Sequence, residues 1–231
     1  MVQGVQGFDD DTTVSLDWGS IPQPSTRGET MQRQPVFEDT GVCTRIRAYT
    51  QDDLKWMYEV RCNPDEWALI QNWRYLPSFD QFLNELQQEV YRGDQRVVIE
   101  NLQGEPIGFL YTYDTDLYNR RTFWTTYLKP KYRKGVYAID AVVSFLSLLF
   151  FVNNFHKVLA HILSFNPLSL NTLLKAGFKQ EGVLREHIWW NGQAYDEYVV
   201  SMLRHEYQQW RQYNRERVAK VWAKITQTTS C

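Results

Sequence analysis

Asn166-Pro167-Leu168-Ser169-Leu170-Asn171-Thr172-Leu173-Leu174-Lys175-Ala176-Gly177-Phe178 spells out a short helix together with both of its ends. Asn166 is a strong N-cap, because its side chain accepts the main-chain N–H groups that open a helix. Pro167 fits the first helical position, where its missing donor costs nothing. Leu170, Leu173, Leu174 and Ala176 predict a buried face, and Gly177 stops the helix as a left-handed C-terminal residue. The preceding run Lys157-Val158-Leu159-Ala160-His161-Ile162 reads as a strand. The unit is therefore strand, tight turn, short helix, stop.

Working outward, Val183 to Trp190 and Ala194 to Leu203 flank Asn191-Gly192, a strong hairpin signal. Upstream, Thr122 to Leu128 reads as a strand, Lys129 to Val136 as a basic loop, and Tyr137 to Asn153 as a long buried helix. Arg96 to Glu100 and Pro106 to Tyr113 alternate about Gln103-Gly104 as a hairpin. Arg45-Ile46-Arg47-Ala48 is a first strand. Thr50-x-x-Asp53 and Ser78-x-x-Gln81 are capping boxes that open two helices, carrying Leu54, Met57 and Tyr58 in one and Phe82, Leu83 and Leu86 in the other. From Glu206, the residues Trp210, Tyr213, Val218, Val221, Trp222 and Ile225 recur at helical spacing among charges, an amphipathic helix that packs on its own domain or mediates self-association. Residues 1–42 lack periodicity and read as a flexible leader, with Phe8, Trp18 and Phe37 as points that could dock. The expected organisation is a leader over 1–42, one domain over 43–205, and a helical extension over 206–231.

Asn166-x-x-Ser169 followed by Lys175-x-Gly177-Phe178 resembles motif B of the GCN5-related N-acetyltransferase (GNAT) superfamily. The continuation Lys179-Gln180-Glu181-Gly182-Val183-Leu184-Arg185-Glu186 is most similar to the branch that holds the ribosomal-protein N-terminal acetyltransferases. The resemblance runs from about Arg45 to about Arg204. It implies an α/β (α+β) architecture: a mixed, mostly antiparallel twisted sheet flanked by helices, with a V-shaped splay between the central strands. It also implies acetyl-CoA, or another acyl-CoA, as co-substrate, and a primary amine that attacks the thioester directly. The segment with Trp67, Ile70, Trp73, Tyr75 and Leu76 would border the acceptor site in such a fold, or else fill the core between two helices.

The chemistry asks little covalent work of the protein. Holding two reactants in register supplies roughly 7–11 kcal/mol in favourable intramolecular cases. The resemblance places the diphosphate at a Gly-rich turn whose family form is Arg/Gln-x-x-Gly-x-Gly/Ala. Here the stretch reads Tyr132-Arg133-Lys134-Gly135-Val136-Tyr137-Ala138. Arg133 and Ala138 match the ends, while Val136 stands where the central glycine belongs and Gly135 is one residue early. A β-branched residue disfavours positive φ and obstructs close approach of a diphosphate. Three outcomes are open: a turn shifted to Gly135, a weakened CoA site, or a different acyl donor. Lys129, Lys131, Arg133 and Lys134 concentrate positive charge there, as solvated loops also do.

By the same resemblance, Asn166 contacts the pantetheine arm, Ser169 lies near the thioester sulfur, and main-chain N–H groups near Tyr127 and Leu128 receive the thioester oxygen. The tyrosine that many members place later in this helix as proton donor is replaced by Leu173. No carboxylate stands in the strand from Thr122 to Leu128. Glu186 and His187 are the candidates for the general base, on opposite faces of their strand if it alternates.

Bulk properties narrow the field. The chain has 231 residues, 43% hydrophobic and 15% aromatic, enough for a core. A formal net charge of −2 argues against nucleic-acid binding. Cys43, Cys62 and Cys231 lack CxxC spacing and suggest reduced thiols in the cytoplasm. The opening residues have no signal-peptide pattern, and the apolar run Ala141 to Val152 is too short to span a bilayer. His156, His161, His187 and His205 have no metal-ligand spacing, so no metal is expected. The primary expectation is a cytoplasmic N-acyltransferase, monomeric or dimeric, acting on a small amine (a polyamine, an aminoglycoside, a biosynthetic intermediate) or a protein N-terminus. The alternatives are a binding or regulatory module with lost catalysis, and a scaffold whose extensions mediate assembly.

Overall fold

The computed structural model describes residues 41–67, 70, 75–133 and 135–228, apart from the side chain of Trp67. Phe8, Trp18 and Phe37, nearly all of the expected leader, Trp73, Lys134 and Cys231 lie outside the described residues.

Strand β1 (Thr44–Ala48) leads into helix α1 (Gln51–Arg61), the single turn α2 (Pro64–Trp67) and helix α3 (Phe79–Tyr91). Both capping boxes form. The Asp53 carboxylate accepts the Thr50 N–H at 2.7 Å, and Ser78 and Gln81 exchange side-chain to main-chain bonds at 3.2 and 2.8 Å. Asp53 also binds the Arg47 guanidinium at 2.6 and 3.0 Å, and Arg47 Nε reaches Glu100 at 2.6 Å, so one buried arginine ties β1 to α1 and to the next strand.

Strands β2 (Arg96–Asn101), β3 (Pro106–Asp116) and β4 (Arg121–Leu128) follow as an antiparallel meander. Gly108 permits the close approach of β3 to β4: a Cβ on it would lie 2.1 Å from the Tyr127 carbonyl oxygen. After a 3₁₀ turn (Pro130–Tyr132) come helix α4 (Tyr137–Ser147), strand β5 (Lys157–Leu163), helix α5 (Pro167–Lys175), strands β6 (Lys179–Trp190) and β7 (Gln193–Leu203), and helix α6 (Arg204–Thr228). Asn191 (φ 47°) and Gly192 (φ 82°) make the β6–β7 turn, as their sequence predicts. The described strands form one sheet in the order β1-β2-β3-β4-β5-β7-β6. Only β4 and β5 run parallel. They pair at Arg121–Phe123 with Lys157–Leu159 and then part. The expected mixed sheet with a central splay is present.

Two cores occupy the two faces. Trp124 and Leu128 of β4 join Phe145, Leu146 and Phe150 of the α4 segment, Phe178, Met202 and Tyr207. Tyr127 faces the other way, with Met57, Phe82, Leu86, Phe109 and Tyr111. The period-two alternation of β4 thus feeds both layers.

Three expectations need correction. The helix expected from Tyr137 to Asn153 is α only to Ser147 and widens into a π turn over Leu148–Val152. The buried Tyr207 hydroxyl donates to Val143 O at 2.5 Å beside this change, and Phe150 stacks on the Tyr207 ring at 5.1 Å. In α5, Leu170, Leu173 and Ala176 pack half-buried against the core, but Leu174 is exposed, because the helix rides along the rim of a cleft and meets the core with one edge. In α6 the inward stripe is Tyr207, Trp210, Asn214, Val218 and Trp222. Tyr213, Val221 and Ile225, expected to share the apolar face, are exposed. Counting apolar residues alone missed that Asn214, a polar side chain, is buried on the inward face, where it donates to Trp210 O at 3.1 Å.

Candidate active site

Where β4 and β5 part, a cleft of about 1250 Å³ passes through the sheet and is lined from both layers. Its walls on one side come from α4, α5 and α6, and on the other from α3, β3, β6 and β7. The unpaired edge of β4 presents main-chain groups to it. Tyr127 O points at β3, and Lys129 N bonds to Ile107 O of β3 at 2.9 Å. Alternation then directs the N–H and C=O of Leu128 into the gap.

Beyond β4 the chain makes the turn that opens α4. Gly135 takes φ +103°, which an L side chain adopts only under strain, although nothing lies within 4 Å of where its Cβ would stand. Val136 has ordinary right-handed angles (φ −101°, ψ −6°) as the N-cap residue of α4. Its side chain is buried against Cys43 and Val218, with Trp222 beside them. The positive φ of this turn sits at Gly135, so valine costs no positive φ and turns its methyls into a small core; the angles do not bear on CoA affinity or on the acyl donor. The N–H groups of the first turn of α4 have no partners within the helix, and the positive end of the helix dipole lies there.

Asp140, in that first turn, is buried and fastens it to β1. Its carboxylate accepts the main-chain N–H groups of Val42, Cys43 and Thr44 at 2.9, 2.8 and 2.8 Å, and the Thr44 hydroxyl at 2.9 Å. Burial, aided by the negative charge of Asp140, pushes the Cys43 thiol far above its usual range, so this cysteine is an inert packing group.

The basic loop does not assemble as the residue types suggest. Lys129 donates to Pro106 O at 2.6 Å and lies over the Trp56 ring, and Lys131 pairs with Glu105 at 2.7 Å. Arg133 donates from Nε to Leu128 O at 2.9 Å and pairs with Glu66 of α2. Each cation satisfies a nearby carbonyl or carboxylate instead of converging on the turn; Lys134 lies outside the described residues. Two other cations line the cleft on the α5–α6 side, Lys175 and Arg217, and neither pairs with a carboxylate among the described residues.

Tyr127, Leu128, Arg133, Gly135, Ala138, Asn166 and Ser169 all line the cleft; Val136 and Tyr137 sit behind it, in the small core. Asn166 caps α5, its Oδ1 accepting Ser169 N at 3.3 Å. Pro167 and Gly177 (φ +86°) occupy the start and stop their types predict. Leu173, half-buried, lines the wall one turn further on. The indole N–H groups of Trp124 and Trp210 are buried among these residues and find no acceptor among the described residues. Buried donors of this kind are rare and call for a partner.

On the opposite face lies a cluster that sequence reasoning did not assemble. The buried carboxylate of Glu197 in β7 has Oε2 3.9 Å from His161 Nδ1 of β5 and 3.7 Å from His187 Nε2 of β6. Tyr113 and Asp114 of β3 complete it, and the His161 ring packs on Phe123 with centroids 4.3 Å apart. The register sets the grouping, since β5 and β7 pair Leu163 with Glu197 and His161 with Val199. One signal was available: after the opening Lys157, His161 is the one ionisable residue in the apolar run of β5. His187 lines the cleft, whereas Glu186 is not among its lining residues. One of the two therefore faces the cleft, as alternation predicts, although β6 is irregular between Leu184 and Ile188, with Glu186 at φ +50° and its N–H bonded to Asp196 at 2.8 Å. Ile70 and Tyr75 line the same side of the cleft, while Leu76 is exposed.

Comparison with known proteins places this architecture. A family model described as an acetyltransferase (GNAT) domain matches residues 44–179. A spermidine N(1)-acetyltransferase of Vibrio cholerae is 23% identical over 165 residues, covering 70% of this chain and 94% of that protein. An SPbeta prophage-derived uncharacterized N-acetyltransferase of Bacillus subtilis is 25% identical over 123 residues, covering 53% and 70%. Among solved structures, the Vibrio cholerae spermidine N-acetyltransferase in complex with CoA and spermine aligns with a TM-score of 0.67 at 22% identity, over 71% of this chain and 98% of that one. That last likeness establishes the shared fold. No described helix is long and apolar enough to cross a membrane.

Proposed function

This chain belongs to the acetyltransferase (GNAT) family, an acyl-CoA-dependent N-acyltransferase, and on that premise we propose that it acetylates a small polycationic amine, a polyamine in preference to a protein N-terminus. The observation that carries this reading is the cleft through the sheet, with a main-chain donor turn on one face and a carboxylate–imidazole cluster on the other. An anionic diphosphate suits the first face, and an ammonium suits the second. The Vibrio cholerae relative named above is a spermidine acetyltransferase, which favours the same acceptor over the branch that the β6 sequence resembles.

The residues present fit acetyl-CoA. The first-turn N–H groups of α4, from Gly135 to Ala138, receive phosphate oxygens, with Arg217 and Lys175 in place of the committed loop cations. The orphaned indole N–H groups of Trp124 and Trp210 are donors for the amide carbonyls of the pantetheine arm, beside Asn166. The N–H of Leu128 points where the thioester oxygen would gather negative charge as the amine attacks. Holding both reactants in one channel supplies most of the rate.

The Ser169 hydroxyl, at the first turn of α5, is the candidate donor to the leaving thiolate, since Leu173 has no proton to give and the Thr172 hydroxyl donates to Leu168 O at 2.7 Å. A hydrogen bond to a charged group contributes about 1.5–3 kcal/mol. Ser169→Ala is therefore expected to lower kcat by roughly 10- to 100-fold with little change in the KM for the amine, read by steady-state release of free thiol. An unchanged kcat would remove Ser169 from the reaction.

The acceptor is tested by supplying acetyl-CoA with spermidine, spermine, or a short peptide with a free N-terminus. Faster turnover of the polyamines is expected. Turnover of the peptide alone would overturn the polyamine assignment.

A further inference from the structure

We propose that His161 is the catalytic base that takes the proton from the acceptor's ammonium, and that Glu197 is its positioning residue. This rests on the amine-acetylation reading above and assigns a step within it.

The geometry selects His161 among the ionisable groups of the acceptor face. It lies two residues past the last β4–β5 pair, Phe123 with Leu159, at the point where the channel opens. Its ring is fixed by packing on Phe123 at 4.3 Å and near Tyr113 at 6.2 Å. Nδ1 lies 3.9 Å from the buried Glu197 carboxylate, a charge contact beyond hydrogen-bond range, and Nε2 is the ring nitrogen turned away from that contact and assigned here to take the proton. At this distance the carboxylate acts through its charge, which stabilises the imidazolium that forms, while packing on Phe123 sets the orientation of the ring. His187 reaches Glu197 from the far side but is half exposed on an edge strand, within its irregular stretch between Leu184 and Ile188, so its ring is less constrained. Glu186 lies outside the cleft lining, and Ser169 stands on the opposite wall.

The protons balance as follows. The acceptor arrives as R–NH3⁺ and gives one proton to His161 Nε2, which passes it to solvent. The free amine attacks the thioester carbon, the C–S bond breaks, and the second nitrogen proton leaves with the thiolate as CoA thiol. The products are the N-acetylamine and free CoA.

The groups that face His161 are Glu197 from β7, Asp114 and Tyr113 from β3, and His187 from β6. Burial, with a further push from His187, lowers its proton affinity below the ordinary imidazole value of 6.5, against the pull of Glu197 and Asp114. It is thus neutral, and able to accept, at neutral pH. With a folded-state value depressed, kcat/KM for the amine should rise with pH through a limb below 6.5 and then level.

The experiment compares wild type, His161→Gln and Glu197→Gln over pH 5 to 9, with acetyl-CoA and spermidine, and with CoA affinity measured by calorimetry as a control for folding. His161→Gln is expected to lose about 10²- to 10⁴-fold in kcat and to lose the acid limb, with CoA affinity retained. Glu197→Gln is expected to lose less and to move the limb to lower pH, because the charge that favours the imidazolium is gone. Full kcat and an intact limb in His161→Gln would overturn the assignment while leaving amine acetylation standing. Absence of acetylation of any amine by the wild-type chain would overturn both readings. If His161→Gln fails to bind CoA, the wild type still decides. An NMR titration of the His161 ring that coincides with the kinetic limb supports the proposal, and a limb at a different pH contradicts it.

Discussion

Asp140→Ala should lower the unfolding free energy by about 3–5 kcal/mol. Its carboxylate is buried and accepts three main-chain N–H groups and one hydroxyl, all from the segment that starts β1. Removing the acceptor leaves four donors behind, and a buried donor left unsatisfied costs about 1–3 kcal/mol. Water entering the void would satisfy some of them, which keeps the total toward the lower part of that sum. Asp140→Asn keeps the shape but turns an NH2 group toward N–H donors, so it is expected to lie close to the alanine variant. Urea denaturation followed by tryptophan fluorescence measures both. The same carboxylate holds the first turn of α4, so CoA affinity should fall alongside stability. A loss below 1 kcal/mol would mean that this anchor is replaceable.

Val136→Gly has the next largest expected effect on stability, and its effect on CoA affinity separates two accounts of the turn. If the chain kept the family geometry, glycine at this position would relieve strain and improve CoA binding. In the observed turn Gly135 already carries the positive φ, while the valine side chain is buried against Cys43 and Val218. Burying a valine stabilises by about 1.5–3 kcal/mol, and the cavity left behind adds to the loss. The expected result is destabilisation of roughly 2–3 kcal/mol with unchanged or weaker CoA affinity. Tighter CoA binding in Val136→Gly would show that the valine is an obstruction after all. Thermal unfolding and calorimetry on one preparation give both numbers.

The helical stop-and-start at Asn166 and Gly177 was legible because caps are local: the residues that satisfy the helix ends lie within a few positions of them. The splay, the hairpins and both capping boxes followed for the same reason, or from the resemblance that the local motif carried. What the sequence did not disclose is non-local. Val136 looked like a defect because its partner, Val218, arrives from α6, beyond the segment that carries the family resemblance. The basic loop looked like a phosphate site because residue types do not say that Glu105, Pro106 and Glu66 stand within reach of its cations. His161 and Glu197 meet only through the β5–β7 register, which no short window reveals. Alternation put at most one of Glu186 and His187 in the cleft, but it did not say which; His187 lines it. A polar residue within an apolar run, as at His161 after Val158, Leu159 and Ala160, or on the inward stripe of a helix, as at Asn214, was the one local sign of these arrangements.

The central claim is that the parted strands and the two helix starts beside them hold the acyl donor from one face of the sheet. Hydrogen–deuterium exchange with and without saturating acetyl-CoA tests it most directly. Added protection is expected at Tyr127 and Leu128, at the turn from Gly135 to Ala138, at the first turn of α5 after Asn166, and along α6 around Trp210 and Arg217. Unchanged exchange in these four segments at millimolar acetyl-CoA, or protection confined to other parts of the chain, would contradict it.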